Sequence, residues 1–215
     1  MNTIITSCIA IMLLASCGSS SKITSTWKAP DVQPGTYDKI MVVGLIADPD
    51  RSIREKMEEH LVGDLRNLGY NAVAASSEFG PKAFEGIKEN EALQMLKDKG
   101  IEAVMTIILL DKTKERYYVP GNIYYSPYGI YQRYWYPYYS TMYGRIYSPG
   151  YYATDTKYFW ESNFYSFSAG TTTLLYSAQS QSFDPSSVST LGHEYGLAII
   201  NDMVSSNVLK SNQKK

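Results

Sequence analysis

Between Lys39 and Leu110, apolar runs alternate with amphipathic stretches, and this alternation narrows the possible folds more than any other feature of the chain. Lys39 to Ala47 (KIMVVGLIA) is a continuous apolar run bounded by turn signals, the pattern of a strand covered on both faces. Asp48-Pro49-Asp50 supplies a helix start, with Asp50 as the expected N-cap. From Ser52 to Leu68, apolar residues recur at Ile53, Met57, Leu61, Leu65 and Leu68. That spacing puts one stripe against a sheet and leaves Arg54, Glu55, Glu58, Glu59 and Arg66 outward. Gly69 closes the helix. Asn71 to Ser76 reads as a second strand, Asn90 to Lys99 as a second helix stopped at Gly100, and Ile101 to Leu110 as a third, buried strand. The order predicts an α/β fold, a mostly parallel sheet with right-handed crossovers and flanking helices in two or three layers.

The flanks extend this unit. Ile23 to Lys28 alternates β-branched or aromatic residues with polar ones, as a half-exposed strand does, before Ala29-Pro30 stops it. Tyr158 to Phe167 and Thr171 to Gln181 read as a late β-hairpin joined at Ser168-Ala169-Gly170. A final helix is expected from Ser187 to Leu209, with Leu191, Tyr195, Ala198, Ile199, Met203 and Val204 inward. A chain of 215 residues suits one domain, here 23–210, carrying a tyrosine-rich insertion at 117–158.

Ahead of the domain, Ile4 to Ala15 is an apolar run interrupted only by Thr6 and Ser7. It is shorter than the roughly 20 residues that a membrane span needs and suits the core of a signal peptide over 1–16. Its end, Leu14-Ala15-Ser16-Cys17-Gly18, resembles the lipobox of bacterial lipoproteins. The resemblance implies cleavage before Cys17, acyl chains on that cysteine and a tether over 17–22. Two or more chains make anchoring effectively stable. No Lys or Arg precedes the apolar run; an uncleaved anchor or an ordinary secretory signal is the alternative. By analogy with such lipoproteins, the residue after Cys17 favours the outer membrane, and the Ser-rich, then basic, tether favours its periplasmic face. Cys8 lies in the leader, so the mature chain has one cysteine and no internal disulfide.

Several short motifs recur together: Trp27 in a strand just after the tether, KIMVVGL, and a helix of form Arg54-x-x-x-Glu58-x-x-Leu61-x-x-x-Leu65 ending Leu68-Gly69-Tyr70. With the late hairpin and C-terminal helix, the layout is similar to envelope lipoproteins of Gram-negative bacteria. It resembles the periplasmic domains of the curli-secretion lipoprotein and of the lipoproteins that activate penicillin-binding proteins. Those families work through protein surfaces, so the resemblance implies a binding role and transfers no functional residue.

Catalytic chemistry finds little support. Asp48-Pro49-Asp50-Arg51 follows the first apolar strand where a glycine-rich phosphate loop would stand, so no nucleotide cofactor is expected. His60 and His193 are the only histidines, and Leu197 occupies the place of the second histidine of an HExxH motif, so neither is expected to hold a metal. No serine sits in G-x-S-x-G, and acidic pairs such as Glu58-Glu59 fall at helix positions expected to be solvated. An enzyme is not expected. Lys and Arg number 20 against 21 Asp and Glu, a balance that argues against a nucleic-acid partner.

Tyrosine is the outlier. Sixteen of the 20 tyrosines fall between Tyr117 and Tyr165, interleaved with Gly, Pro and Ser, and only Arg133 and Arg145 carry charge between Tyr117 and Asp155. Tyrosine offers a large apolar face with a polar tip at modest entropic cost, which is why binding loops favour it. Tyr128, Tyr131, Tyr134, Trp135, Tyr136 and Tyr139 are therefore the candidate partner-binding residues. The expectation is a lipid-anchored, non-catalytic envelope component that binds a protein or wall polymer such as peptidoglycan. The alternative is a glycan-binding or hydrolytic lipoprotein that grips carbohydrate on these rings. A low-complexity tract without a partner would have the same composition.

Overall fold

The computed structural model describes residues 20–47, 50–80, 84, 86–119, 151–168 and 171–210. Cys17 and the six candidate aromatic residues lie outside them. Six strands and four helices occur among the described residues: β1 Ser21–Lys28, β2 Ile40–Leu45, α1 Arg51–Asn67, β3 Ala72–Ala74, α2 Ala75–Glu78, α3 Glu89–Asp98, β4 Ala103–Val119, β5 Tyr151–Ser168, β6 Thr171–Phe183 and α4 Val188–Ser205. The strands form one sheet in the order β1-β6-β5-β4-β2-β3.

The α/β class and the late strand pair followed by a C-terminal helix are as the sequence indicates. The sheet, however, is mixed. Parallel pairing is confined to the strand–helix–strand unit, where β2 pairs in parallel with both β3 and β4. Elsewhere β1 pairs antiparallel with β6. The Phe167 N–H donates to the Glu102 carbonyl, while Asn163 meets Thr106, so β5 runs against β4. The late hairpin and the N-terminal strand add antiparallel neighbours that connect without a crossover helix.

By contacts the chain divides into two compact units, 1–112 with 158–215, and 113–157. In the first, strand alternation sorts the apolar residues between two cores. Ile40, Val42, Met105, Ile107, Trp160, Phe164 and Tyr176 pack with Met57, Leu61 and Leu65 of α1 and with Leu191, Tyr195, Ile199 and Met203 of α4. Met41 and Val104 point the other way and pack with Leu96 of α3 and with Ile101. β2 is thus covered on both faces, as its unbroken apolar run requires.

Several boundaries differ from the sequence reading for local reasons. The segment 71–76 is strand only over Ala72–Ala74, because Ser76 turns into α2 and gives both its N–H and its hydroxyl to Glu58. Asp50 occupies the N-cap position of α1 but makes no side-chain cap; its carboxylate pairs with Lys112 Nζ at 2.5 Å. Ser187 does cap α4, accepting the Thr190 N–H at 3.0 Å. Within α4, Ile200 is buried and Val204 is 37% exposed, the reverse of the expected placing of Val204. Gly69 closes α1 at φ +91°, a conformation glycine adopts without penalty.

The second unit holds the outer ends of β4 and β5, which run on as strands into stretches expected to be irregular. Cross-strand pairs account for this. Lys157 Nζ pairs with the Glu115 carboxylate at 2.7 Å, the Tyr118 and Tyr152 rings meet edge-on at 5.3 Å, and the Arg116 guanidinium lies 4.4 Å from the Tyr152 ring centre.

Candidate functional site

Three places in the described residues gather polar side chains from distant parts of the sequence. The first is the exit of the tether. Ser20 donates its N–H to Glu194 Oε2 at 2.6 Å, and its hydroxyl donates to the same oxygen. The Ser20 carbonyl accepts the Phe183 N–H at 2.8 Å. The chain is therefore fixed to α4 and to the end of β6 before β1 begins. α4 then follows β1, with Thr26 donating to Asp202 and Lys28 Nζ to the Ser206 carbonyl at 2.9 Å.

The second lies between α1 and α4. His60 Nε2 lies 3.1 Å from Ser189 Oγ, and its ring is 6.1 Å from that of His193. The cause is a small-residue row on α4. A methyl group at Gly192 would meet His60 Cδ2 at 2.7 Å, and one at Gly196 would collide with the Asp64 carboxylate. Two glycines one turn apart thus let two helices approach closely. Asp64 Oδ2 is buried there without a hydrogen-bond partner, and burial pushes its carboxyl up from the ordinary aspartate value against the opposing pull of His193 and His60. A groove of about 1040 Å³ opens alongside, lined by Lys56, Glu59, Asp64, Ser77, Ser189 and His193 among others. Ser189, His60 and Asp64 have the residue types of a hydrolytic triad. The carboxylate, however, makes no bond to the imidazole, and a nucleophile needs a base that is itself oriented. Among the described residues, no three His, Cys, Asp or Glu side chains gather as a metal site.

The third corrects the reading of Glu58 and Arg54 as outward residues: they are 1% and 8% exposed. Glu58 accepts the Gly44 N–H at 2.8 Å, the Ser76 N–H at 3.1 Å and the Ser76 hydroxyl at 2.6 Å. A methyl group at Gly44 would meet Arg54 Cγ at 2.8 Å, so the bare glycine in β2 makes the room that both side chains fill. A buried carboxylate with three donors is satisfied, and the arrangement fastens β2, α1 and α2 together. Gly44 in the middle of an apolar run, with Val62 in the same i, i+4 row as Arg54 and Glu58, was the available signal.

On the opposite face, Val43, Phe84, Leu93, Leu96 and Phe167 border an apolar recess of about 340 Å³ where α3 covers the sheet incompletely. In the second unit, Tyr117, Tyr118 and Tyr152 are exposed. They belong to the aromatic tract, whose last tyrosine, Tyr158, is instead buried in the core of the first unit. Among those residues, no helix is long and apolar enough to cross a membrane.

No family model matches the sequence, and no curated protein matches it. Solved structures with a similar course of the chain include the PelC dodecamer from Paraburkholderia phytofirmans, at 11% identity and a TM-score of 0.46, covering 87% of this chain and 99% of that one. They also include the lipoprotein GNA1162 from Neisseria meningitidis, at 15% identity and a TM-score of 0.42, covering 78% and 98%. Likeness at this level carries nothing about activity or partners.

Proposed function

We propose that this chain is a lipid-anchored, non-catalytic component of the bacterial envelope, held to the outer membrane on its periplasmic face and binding a protein or wall polymer through tyrosine rings. The observation that carries the anchor is the apolar leader ending Leu14-Ala15-Ser16-Cys17, three residues before Ser20, whose N–H and hydroxyl are held by Glu194. The exposed Tyr118 and Tyr152, edge-on to each other, support a surface of aromatic rings where β4 and β5 enter the tyrosine tract.

Metabolic labelling with a fatty acid tests the anchor. Label should enter the wild-type chain and be lost, together with membrane association, in Cys17→Ala. A Cys17→Ala chain that stays as firmly bound would make the leader an uncleaved anchor. Replacing residues 120–150 with a short Gly-Ser linker tests the binding role. The variant should still unfold cooperatively, since loop closure depends only weakly on length. It should also recover less envelope material in pull-down, because a few aromatic anchors carry most of the energy of a small contact. Equal recovery with and without the tract would remove its role.

A further inference from the structure

The anchor reading above leaves open how the folded domain stands on its membrane, and the contacts of Ser20 bear on this directly. Cys17 precedes Ser20 by three residues, and an extended chain spans at most about 3.5 Å per residue, so the acylated residue lies within about 10 Å of Ser20. Ser20 is itself fixed by two hydrogen bonds to Glu194 and one backbone bond to Phe183. A long, free linker would let the domain tumble; a reach this short, ending on a clamped residue, does not.

We infer that the surface around Ser20 is the lipid-facing surface of the domain, and that Glu194 is the positioning residue that orients it. The surface comprises Phe183, Ser186 and the first turns of α4. Phe183 is 42% exposed beside the clamp and offers an aromatic ring to the headgroup region. α4 runs from this surface along β1 to Ser206, twelve residues beyond Glu194, or roughly 18 Å at 1.5 Å per residue. One end of α4 therefore marks the membrane side and the other marks the distal side.

The full acylated chain, reconstituted in phosphatidylcholine vesicles that contain a nitroxide-headgroup lipid, provides the test. Cys8 leaves with the leader and the Cys17 thiol is acylated, so one engineered cysteine takes a single fluorophore. Ser186→Cys reports the membrane side and Val204→Cys the distal side; both positions are exposed. Quenching at position 186 should exceed that at 204 by threefold or more, and adding Glu194→Ala should narrow the difference, the backbone bond from Phe183 to Ser20 remaining. Equal quenching at both positions in the acylated, vesicle-bound protein would overturn the orientation while leaving the anchor intact. A difference that Glu194→Ala leaves unchanged would overturn the clamp. Intact mass without acyl chains would instead remove the anchor reading and the orientation with it.

Discussion

Glu58 Oε1 accepts the Gly44 N–H at 2.8 Å, and through it the first helix is bonded to the middle of a strand that otherwise offers only apolar side chains. Removing the carboxylate would strand the Gly44 and Ser76 donors in a buried site. Leaving buried groups unpaired costs about 1–3 kcal/mol each. Glu58→Ala should therefore lower stability by about 3 kcal/mol, and Glu58→Gln, which keeps one acceptor, by less. Urea unfolding of both variants in the Cys17→Ala chain checks the order; equal losses would mean that charge rather than hydrogen bonding decides.

The contact between α1 and α4 makes a second prediction. A methyl group at Gly192 collides with His60, and overpacking of this kind typically costs about 1–3 kcal/mol. Gly192→Ala should destabilise by that amount, and His60→Ala in the same chain should recover part of it. A double-mutant cycle on thermal unfolding gives the coupling. Strict additivity would show that the two residues are not in contact.

Asp64 gives a pH dependence with a definite sign. Its folded pKa is raised by burial, so above the ordinary value of 3.8 the native state binds more protons than the unfolded chain. Stability then falls as pH rises from that value through the raised one. Asp64→Asn should flatten this slope and stabilise the protein at pH 7. The gain should stay below about 1 kcal/mol because part of the residue is exposed and its charge is screened by solvent. Unfolding between pH 4 and 8 measures it, and an unchanged slope would assign the dependence to other groups.

Val42 is fully buried in the core beneath α1 and α4. Val42→Asp would place an unpaired charge there at a cost of several kcal/mol against a total stability of about 5–15. The variant should be degraded or insoluble. Recovery of a soluble, cooperatively unfolding Val42→Asp chain would contradict the buried strand.

The strands and long helices of the first unit were legible because each carries its own period: a doubly covered run at KIMVVGL, a stripe at Ile53, Met57, Leu61 and Leu65, and glycines where two of the helices stop. What was not legible depends on pairs far apart in the chain. Glu58 has the sequence signature of a solvated carboxylate until Gly44 is known to lie beneath it. His60 and His193 have no common pattern, and only the closeness allowed by Gly192 brings them together. The mixed sheet escaped a local reading because strand direction is set by which edges remain open. The outer ends of β4 and β5 escaped because their support comes from cross-strand pairs such as Glu115 with Lys157. Cys17 and the aromatic candidates Tyr128 to Tyr139 rest on sequence alone.

The pairing of β1 with β6 joins Ser21 to Ser182, and Ser20 is held by Glu194. The earliest-made strand of the domain thus finds its partners only among the last-made segments. A ribosome must complete almost the whole domain before its first strand has an edge to join, and contacts of such sequence separation form slowly. Residues 20–28 therefore have no native partner while the polypeptide is still emerging, and the edge of the sheet they will cover forms only when the late hairpin and the C-terminal helix arrive.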